Sequence, residues 1–259
     1  MKTPAYHKSL ETLHVNCLEP RAYFIPFADE KTAASRERSE SDYFVPLCGE
    51  WDFRFFKSFE DVLREPPEYV GERGFDKISI PRSWQTYTDR GYDVPLYSNL
   101  EYPFPTDPPF VPDENPCGLY VRKFTLDKKL FSRDLFLNFE GVDSCFYVWL
   151  NGKFVGFSEV SHCMSEFDVT DFAVSGENTL CVLVVKWCPG TYLEDQDCFR
   201  FSGIFREVYL LARGKERLDD IFVKSYVSDD FNSAELRIEA KLSTPCDIKY
   251  KLVAPNGVT

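Results

Sequence analysis

The stretch VWLNGKFVGF, residues 148–157, carries the clearest local signal of the fold. Asn151 and Gly152 stand between two runs rich in apolar residues, and this dipeptide favours a two-residue type I′ turn between antiparallel strands. The segments on either side, residues 134–142 and 165–187, also contain strand-like runs, the second interrupted by a polar turn at 176–178. The hairpin is therefore predicted to lie within a series of antiparallel strands.

Helical periodicity is scarce along the chain. Only SFEDVLREPPEYV, residues 58–70, suggests a short helix, ended by Pro66 and Pro67. The aromatic share of 16% favours sheet-rich packing. Many short strands with long irregular connections are typical of a jelly-roll β-sandwich. The longest irregular insert, the proline-rich residues 102–118, has a length typical of functional or covering loops. We therefore predict an all-β fold.

The chain divides into three predicted parts. Residues 1–44 are polar and lack a clear period, so we expect an extended arm with a solvated loop. Residues 45–214 form the predicted jelly-roll domain. From residue 215 to 259, the runs IFVKSYV, AELRIEAKLS and DIKYKLVAPNG alternate as three strands that open an immunoglobulin-like sandwich. Three strands leave an unpaired edge, so this second domain is predicted to be truncated.

The composition limits the possible partners. A net charge of −12 argues against a nucleic acid or an anionic membrane, which attract clustered Lys and Arg. The first residues have no signal-like apolar region, and the longest apolar run, residues 180–185, is too short to span a bilayer. We expect a cytoplasmic protein. The nine cysteines include no CxxC and no zinc-like Cys/His spacing, so free buried thiols are expected.

Six segments together resemble one enzyme family. They are IPRSWQ (80–85), GYDVPLYSNLEYPF (91–104), PPFVPDENPCGLY (108–120), NGKFVGFSE (151–159), SEFDVTDF (165–172) and YLEDQDCFRFSGIFREV (192–208). From about residue 45 onward, the chain resembles the N-terminal part of the lac-type β-galactosidases of glycoside hydrolase family 2. The combination of YSN with EDQD resembles the galactosidases in particular, whereas the other segments are similar across the family.

The resemblance implies a multidomain parent in which a jelly-roll sugar-binding domain and an immunoglobulin-like domain precede a (β/α)₈ barrel. Retaining hydrolysis uses two carboxyl groups about 5 Å apart. In this family both are glutamates on the barrel, which takes about 250 residues by itself. The resemblance therefore implies no catalytic residue in this chain. It also implies a homo-oligomeric parent that binds sodium and, through barrel ligands, magnesium, with neither ion held tightly by this chain alone.

The same resemblance assigns two substrate-binding residues, Asn99 in YSN and Asp197 in DQD. Asp197 is expected to accept hydrogen bonds from galactosyl hydroxyls and to ligate a monovalent cation, sodium, whose other protein ligands lie on the barrel. A carboxylate suits both tasks because its oxygens accept from hydroxyls and bind hard cations. Asn99 supplies a donor and an acceptor to a sugar hydroxyl. Gly203 is expected to provide a backbone shape that a Cβ would hinder.

Neighbouring residues receive structural interpretations. Glu194 and Asp195 are expected to pair with Arg200 or Arg206 and so hold the shape of the segment. Trp84 is expected to pack in the core rather than to stack on a sugar.

Two alternatives to a galactosidase fragment stay open. A self-sufficient carbohydrate-binding module or lectin would use the same sandwich and bind sugar unaided. A fragment of a family 2 β-glucuronidase or β-mannosidase would share the NG strand pair and the SGIFR turn, although the acidic residues 194–197 would repel a glucuronide carboxylate. For the galactosidase interpretation, the expected partners are a β-galactoside such as lactose and the catalytic barrel of the same parent chain.

Overall fold

The strands of the chain are short and lie almost throughout its length. The computed structural model describes residues 4–98, 100–194 and 196–254. In chain order the strands are β1 (His14–Val15), β2 (Phe44–Pro46), β3 (Gly49–Phe56), β4 (Asp76–Ile80), β5 (Leu96–Tyr97), β6 (Cys117–Leu126), β7 (Asp134–Phe139), β8 (Val142–Asp143), β9 (Cys145–Leu150), β10 (Lys153–Ser158), β11 (Ser165–Asp168), β12 (Gly176–Val185), β13 (Phe199–Arg200), β14 (Gly203–Ile204), β15 (Val208–Arg213), β16 (Leu218–Val227) and β17 (Ala234–Leu242).

Helices are few and short. One α-helix, α1, spans Glu30–Ser35. The 3₁₀ helices are Tyr6–Lys8, Arg38–Glu40, Phe59–Asp61, Pro66–Tyr69, Trp84–Thr86, Lys128–Ser132 and Pro189–Tyr192. Among the described residues, these helices all lack the length and apolar character that a membrane span requires. The chain divides into two units, Met1–Pro20 with Ile25–Ala212 and Arg21–Phe24 with Arg213–Thr259.

The first unit is a sandwich of two sheets. A seven-stranded sheet has the order β1-β10-β9-β12-β6-β3-β4, and a four-stranded sheet has the order β11-β7-β15-β2. Alternate residues of β9, Phe146, Val148 and Leu150, join one buried core with Leu137 of β7 and Leu210 of β15. Because strand side chains alternate between faces, this shared core places the two sheets face to face. The prediction of an all-β sandwich is confirmed.

The hairpin predicted at 148–157 is confirmed. Leu150 lies opposite Lys153 in the β9–β10 ladder, which leaves a two-residue loop. Asn151 and Gly152 have φ values of 52° and 79°, and positive values at both positions define the type I′ turn. The sequence predicts a polar turn at 176–178, but these residues already belong to β12, which begins at Gly176. The turn therefore precedes residue 176.

The other face of the seven-stranded sheet is also buried. The remaining residues of β9, Cys145, Tyr147 and Trp149, belong to a second apolar cluster against which Tyr6 packs. His7 is fully buried, and its Nδ1 lies 2.8 Å from the Tyr147 hydroxyl oxygen. Strand β1 pairs with β10 at the sheet edge. The first residues of the predicted arm therefore pair with the edge of this sheet and help to cover its second face, because β9 is apolar on both faces.

Two local predictions differ from the structure. The polar stretch 28–42 contains α1, because the Asp29 carboxylate accepts a hydrogen bond of 2.8 Å from the Thr32 amide and caps the first turn. Residues 58–70 form two 3₁₀ helices instead of one helix ended by prolines. Pro66 begins the second 3₁₀ helix. Proline is tolerated at the first helical position because the backbone N–H there has no hydrogen-bond partner within the helix.

The second unit contains a two-stranded antiparallel sheet. β16 pairs with β17 from Leu218 opposite Leu242 to Val227 opposite Ala234. The third strand predicted in this unit, at residues 247–257, is not formed over its described part up to residue 254. That run pairs with neither β16 nor β17. Two of the three predicted strands are therefore confirmed, and the prediction of the third is wrong where the structure describes it.

Candidate functional site

The two segments singled out by the resemblance meet in the structure. β5 pairs with β13, so that Tyr97 lies opposite Phe199 and Leu96 lies opposite Arg200. The Tyr97 hydroxyl donates a short hydrogen bond to the Asp197 carboxylate, and this bond raises the pKa of Tyr97. Both side chains are exposed, Tyr97 by 56%. Tyr97 of YSN and Asp197 of DQD therefore lie together on an exposed surface of the first unit.

Asn99 and Asp195 lie outside the described residues, so their roles stay predictions. Their neighbours in sequence are described. Ser98, which precedes Asn99, accepts a hydrogen bond of 3.0 Å through its hydroxyl oxygen from Arg200 Nε. Ser98 is thus attached to β13, which begins two residues after Asp197.

A cavity of about 250 Å³ opens beside this ladder. Its wall combines carboxylates, cations and aromatic rings, and pockets of this kind present apolar surface with a few polar groups that fix the orientation of a ligand. The lining includes Asp143, Lys186, Trp187, Glu194, Arg200 and Phe205. Sugar rings offer hydroxyl groups to carboxylates and cations, and apolar C–H faces to aromatic rings. The cavity therefore suits a neutral polyhydroxylated ligand.

Asp143 enters this cavity at the end of β8, where it lies opposite Gly203 of β14. Burial raises the pKa of Asp143 to about 7; Glu194 also raises it, against a hydrogen bond of 2.7 Å from the Ser144 hydroxyl. Near neutral pH this carboxyl can therefore donate or accept. Gly203 has a φ of +117°, and an added Cβ would lie 2.5 Å from the Tyr120 hydroxyl oxygen, which confirms the predicted need for glycine.

A buried polar network supports the inner wall of the cavity. The Lys186 ammonium, whose side chain is 4% exposed, lies 2.6 Å from an Asp93 carboxylate oxygen. Gln85 Nε2 donates to the same oxygen at 3.1 Å, and Gln85 Oε1 accepts from the Ser202 amide at 2.9 Å. Trp84 is fully buried in the core, as predicted. These bonds attach the loop after β4 to the segments that follow β12 and β13.

Glu194 is held by a different partner from the one predicted. Its carboxylate accepts hydrogen bonds from the Ser161 amide at 2.9 Å and the Ser161 hydroxyl at 2.7 Å. Arg206 instead donates to the His162 carbonyl oxygen at 3.0 Å, and Arg200 turns towards β5. The predicted pairing of Glu194 with either arginine is therefore wrong, because the loop after β10 brings two donors to this carboxylate.

Sequence reasoning missed three residues of the site. Lys186 and Asp93 pair across 93 positions of the chain, and no local pattern indicates such a contact. Asp143 reaches the cavity through β8, which has only two residues and no readable period. One signal was available: Lys186 directly follows the buried run of β12, and a lysine buried there requires a charged or polar partner.

Comparisons with known proteins agree with the fold and show the family. The sequence pattern of the "Glycosyl hydrolases family 2, sugar binding domain" matches residues 44–214. A β-galactosidase of Actinobacillus pleuropneumoniae is 47% identical over all of this chain, and one of Staphylococcus xylosus is 42% identical over 97% of it. This chain spans 25% of the length of each of these curated relatives.

Solved structures with a similar fold include a β-glucuronidase from an uncultured Clostridium. That structure has a TM-score of 0.61 and 22% sequence identity, and the match covers 86% of this chain and 36% of the other. A β-glucuronidase of Ruminococcus gnavus has a TM-score of 0.58 and 16% identity over 79% of this chain. At such identities, the likeness concerns the fold alone.

Proposed function

Because the chain belongs to glycosyl hydrolase family 2 through its sugar-binding domain, we propose that it is the non-catalytic N-terminal part of a β-galactosidase. The parent would hydrolyse terminal β-D-galactosides. The names of the relatives at 42–47% identity support this substrate class. The chain spans about a quarter of their length, and the proposal assigns the two catalytic glutamates to the remainder. The proposed parent is a homo-oligomer. We place the parent in the cytoplasm, with no nucleic-acid or membrane partner.

The observation that carries the proposal is the β5–β13 ladder. It presents Asp197 and the chain next to Asn99 at one exposed edge, beside the cavity of about 250 Å³. In this proposal Asn99 and Asp197 contact galactosyl hydroxyls, and the catalytic barrel of the parent completes the subsite. Because the subsite is incomplete without the barrel, Tyr97 and Asp197 are exposed to solvent in this chain.

Asp197 also holds a sodium ion in this proposal. A carboxylate is a hard oxygen ligand with about four acceptor sites, so one carboxylate can bind a sugar hydroxyl and a cation together. The other sodium ligands, and those of magnesium, belong to the barrel. The charge of Asp197 would then act on the sugar and on the ion together, so Asp197→Asn in a full-length parent should lower catalytic efficiency and its response to sodium in parallel.

The first test is hydrolysis of a chromogenic β-galactoside by the purified 259-residue chain. We expect no turnover, because retaining hydrolysis requires a nucleophile and an acid/base carboxyl about 5 Å apart, and the proposal assigns both to the barrel. Turnover that persists through further purification steps would refute the assignment of both glutamates to the barrel.

The second test separates an enzyme part from a lectin. One or two hydrogen bonds contribute about 0.5–1.5 kcal/mol each, whereas a millimolar dissociation constant needs about 4.1 kcal/mol. Calorimetric titration with galactose should therefore detect only binding weaker than millimolar, with or without sodium. The control is Asp171→Asn, at an exposed aspartate that does not line the cavity. Micromolar affinity that Asp197→Asn abolishes and this control preserves would establish a self-sufficient binding module instead.

A further inference from the structure

Three buried side chains meet outside the cavity wall described above. Cys145 begins β9, Glu159 follows β10, and Cys188 precedes the 3₁₀ helix Pro189–Tyr192. One ligand atom from each residue, two sulfurs and a carboxylate oxygen, lies within 4.8 Å of the other two. Cys145 and Cys188 are fully buried, and Glu159 is 2% exposed. The fold thus concentrates two thiols and one carboxylate away from solvent.

Glu159 is the unexplained member of this cluster. Neither of its carboxylate oxygens has a hydrogen-bond partner among the described residues. Burial raises the pKa of Glu159 to about 8 and Glu194 adds to the rise, whereas the nearby Cys188 thiol opposes it. A buried carboxyl group without hydrogen-bond partners is costly in either protonation state, and native structures pair such groups or bind them to metal ions. The missing partner of Glu159 therefore indicates a ligand.

The donor set defines the chemistry of that ligand. Thiolates favour zinc among the common divalent ions, and a carboxylate completes many zinc sites. We propose that Cys145, Glu159 and Cys188 bind one zinc ion. Both thiols and the Glu159 carboxyl release their protons to solvent on binding, so the three ligands carry three negative charges against the two positive charges of the ion. The zinc also offsets the repulsion between Glu159 and Glu194.

Zinc takes four ligands in a tetrahedron. In this proposal a water molecule supplies the fourth ligand beside the three side chains.

The site would act as a structural link. It connects β9, the end of β10 and the segment that leads from β12 to Glu194. Glu194 and Ser161, two residues after Glu159, already hold the same two segments together by hydrogen bonds. Zinc would therefore stiffen the support behind the cavity without contacting a sugar.

The test is zinc binding by the 259-residue chain, with the exposed thiols Cys163 and Cys198 replaced by serine to remove adventitious sites. Competition against a chromophoric chelator should give one tightly bound zinc per chain. Cobalt in place of zinc should produce thiolate-to-cobalt charge-transfer absorption. Zinc should also raise the thermal midpoint of unfolding, because an ion bound only to the folded state stabilises it.

Three ligand variants and one matched control identify the site. Cys145→Ser, Cys188→Ser and the isosteric Glu159→Gln should each bind zinc at least tenfold more weakly. Cys181→Ser removes another buried thiol of the same apolar cluster and should bind as before. If a serine variant does not fold, zinc binding by Glu159→Gln and the cobalt spectrum of the 259-residue chain with Cys145, Glu159 and Cys188 intact decide the question.

Several outcomes would overturn the proposal. They are the absence of zinc uptake by the folded chain, equal affinity in Glu159→Gln and Cys181→Ser, and a cobalt spectrum without thiolate bands. A disulfide between Cys145 and Cys188 that persists in freshly reduced and refolded protein would do the same.

Discussion

Replacing Lys186 with methionine should lower the free energy of unfolding of the first unit more than replacing an exposed lysine does. The Lys186 side chain is 4% exposed and that of Asp93 is 15% exposed, and their charged atoms lie 2.6 Å apart. Lys186→Met keeps the length of the side chain and its place beside the Trp187 ring, but it leaves Asp93 with neutral donors only. Breaking a buried pair by removing one partner costs about 3–5 kcal/mol.

Urea denaturation and calorimetry measure this loss. For a domain of this size, each kcal/mol shifts the thermal midpoint by about 2–4 °C, so we expect a decrease of about 6–20 °C. The matched control is Lys77→Met, which breaks a pair of 2.9 Å with Asp52 on the same sandwich. Those side chains are 58% and 42% exposed, and such pairs contribute about 0–1 kcal/mol.

A double-mutant cycle isolates the pair itself. Asp93→Asn keeps an acceptor for Gln85 but leaves the Lys186 charge buried, so this variant should also be strongly destabilised. The double variant carries neither charge and should lose less than the sum of the two single losses, by about 1–3 kcal/mol. Additive losses, or a Lys186→Met loss within 1 kcal/mol of that of Lys77→Met, would refute the argument from burial.

Two further predictions concern pH and backbone shape. Burial lowers the pKa of His7 to about 4, so the unfolded chain binds more protons below pH 6.5 and stability falls as the pH decreases from 6.5 to 4. Between pH 7 and pH 5, this histidine should lower the free energy of unfolding by about 2 kcal/mol. Urea denaturation at the two pH values should not show this loss in His7→Gln. Gly203→Ala should cost about 2–5 kcal/mol in the same assay, from positive φ plus the clash with Tyr120. Gly152→Ala, with positive φ but open space, should cost about 1 kcal/mol; equal costs would contradict the steric argument.

Local signals explain what the sequence predicts well. The β9–β10 hairpin follows from two adjacent residues that tolerate positive φ, and the sandwich follows from many short strand-like runs joined by irregular connections. The prediction of a third strand in the second unit is wrong because it rests on a local pattern alone. Its alternation at residues 247–257 satisfies the pattern, but a strand also needs a neighbour for its backbone groups, and the described part of that run pairs with neither β16 nor β17.

The site was predictable only in part. Asn99 and Asp197 came from motif resemblance, and the ladder that brings their segments together has two residues on each side, too few for any periodic signal. The partner of Glu194 could not be predicted, because the loop carrying Ser161 approaches only after β10 and β12 have joined the same sheet. Contacts between side chains on different loops depend on the whole topology, which no local pattern contains.

Buried and exposed side chains have different roles around the cavity. Lys186 and Glu194 are fixed by Asp93 and Ser161, and both bracket the segment that leads to Asp197. Asp197 itself is exposed. A ligand group on a mobile loop would lose conformational entropy on binding, whereas one carried by a fixed segment has already lost it. In the proposed function, the buried contacts would hold the backbone up to Glu194, and the exposed carboxylate of Asp197 would bind the sugar together with the part of the parent that completes the subsite.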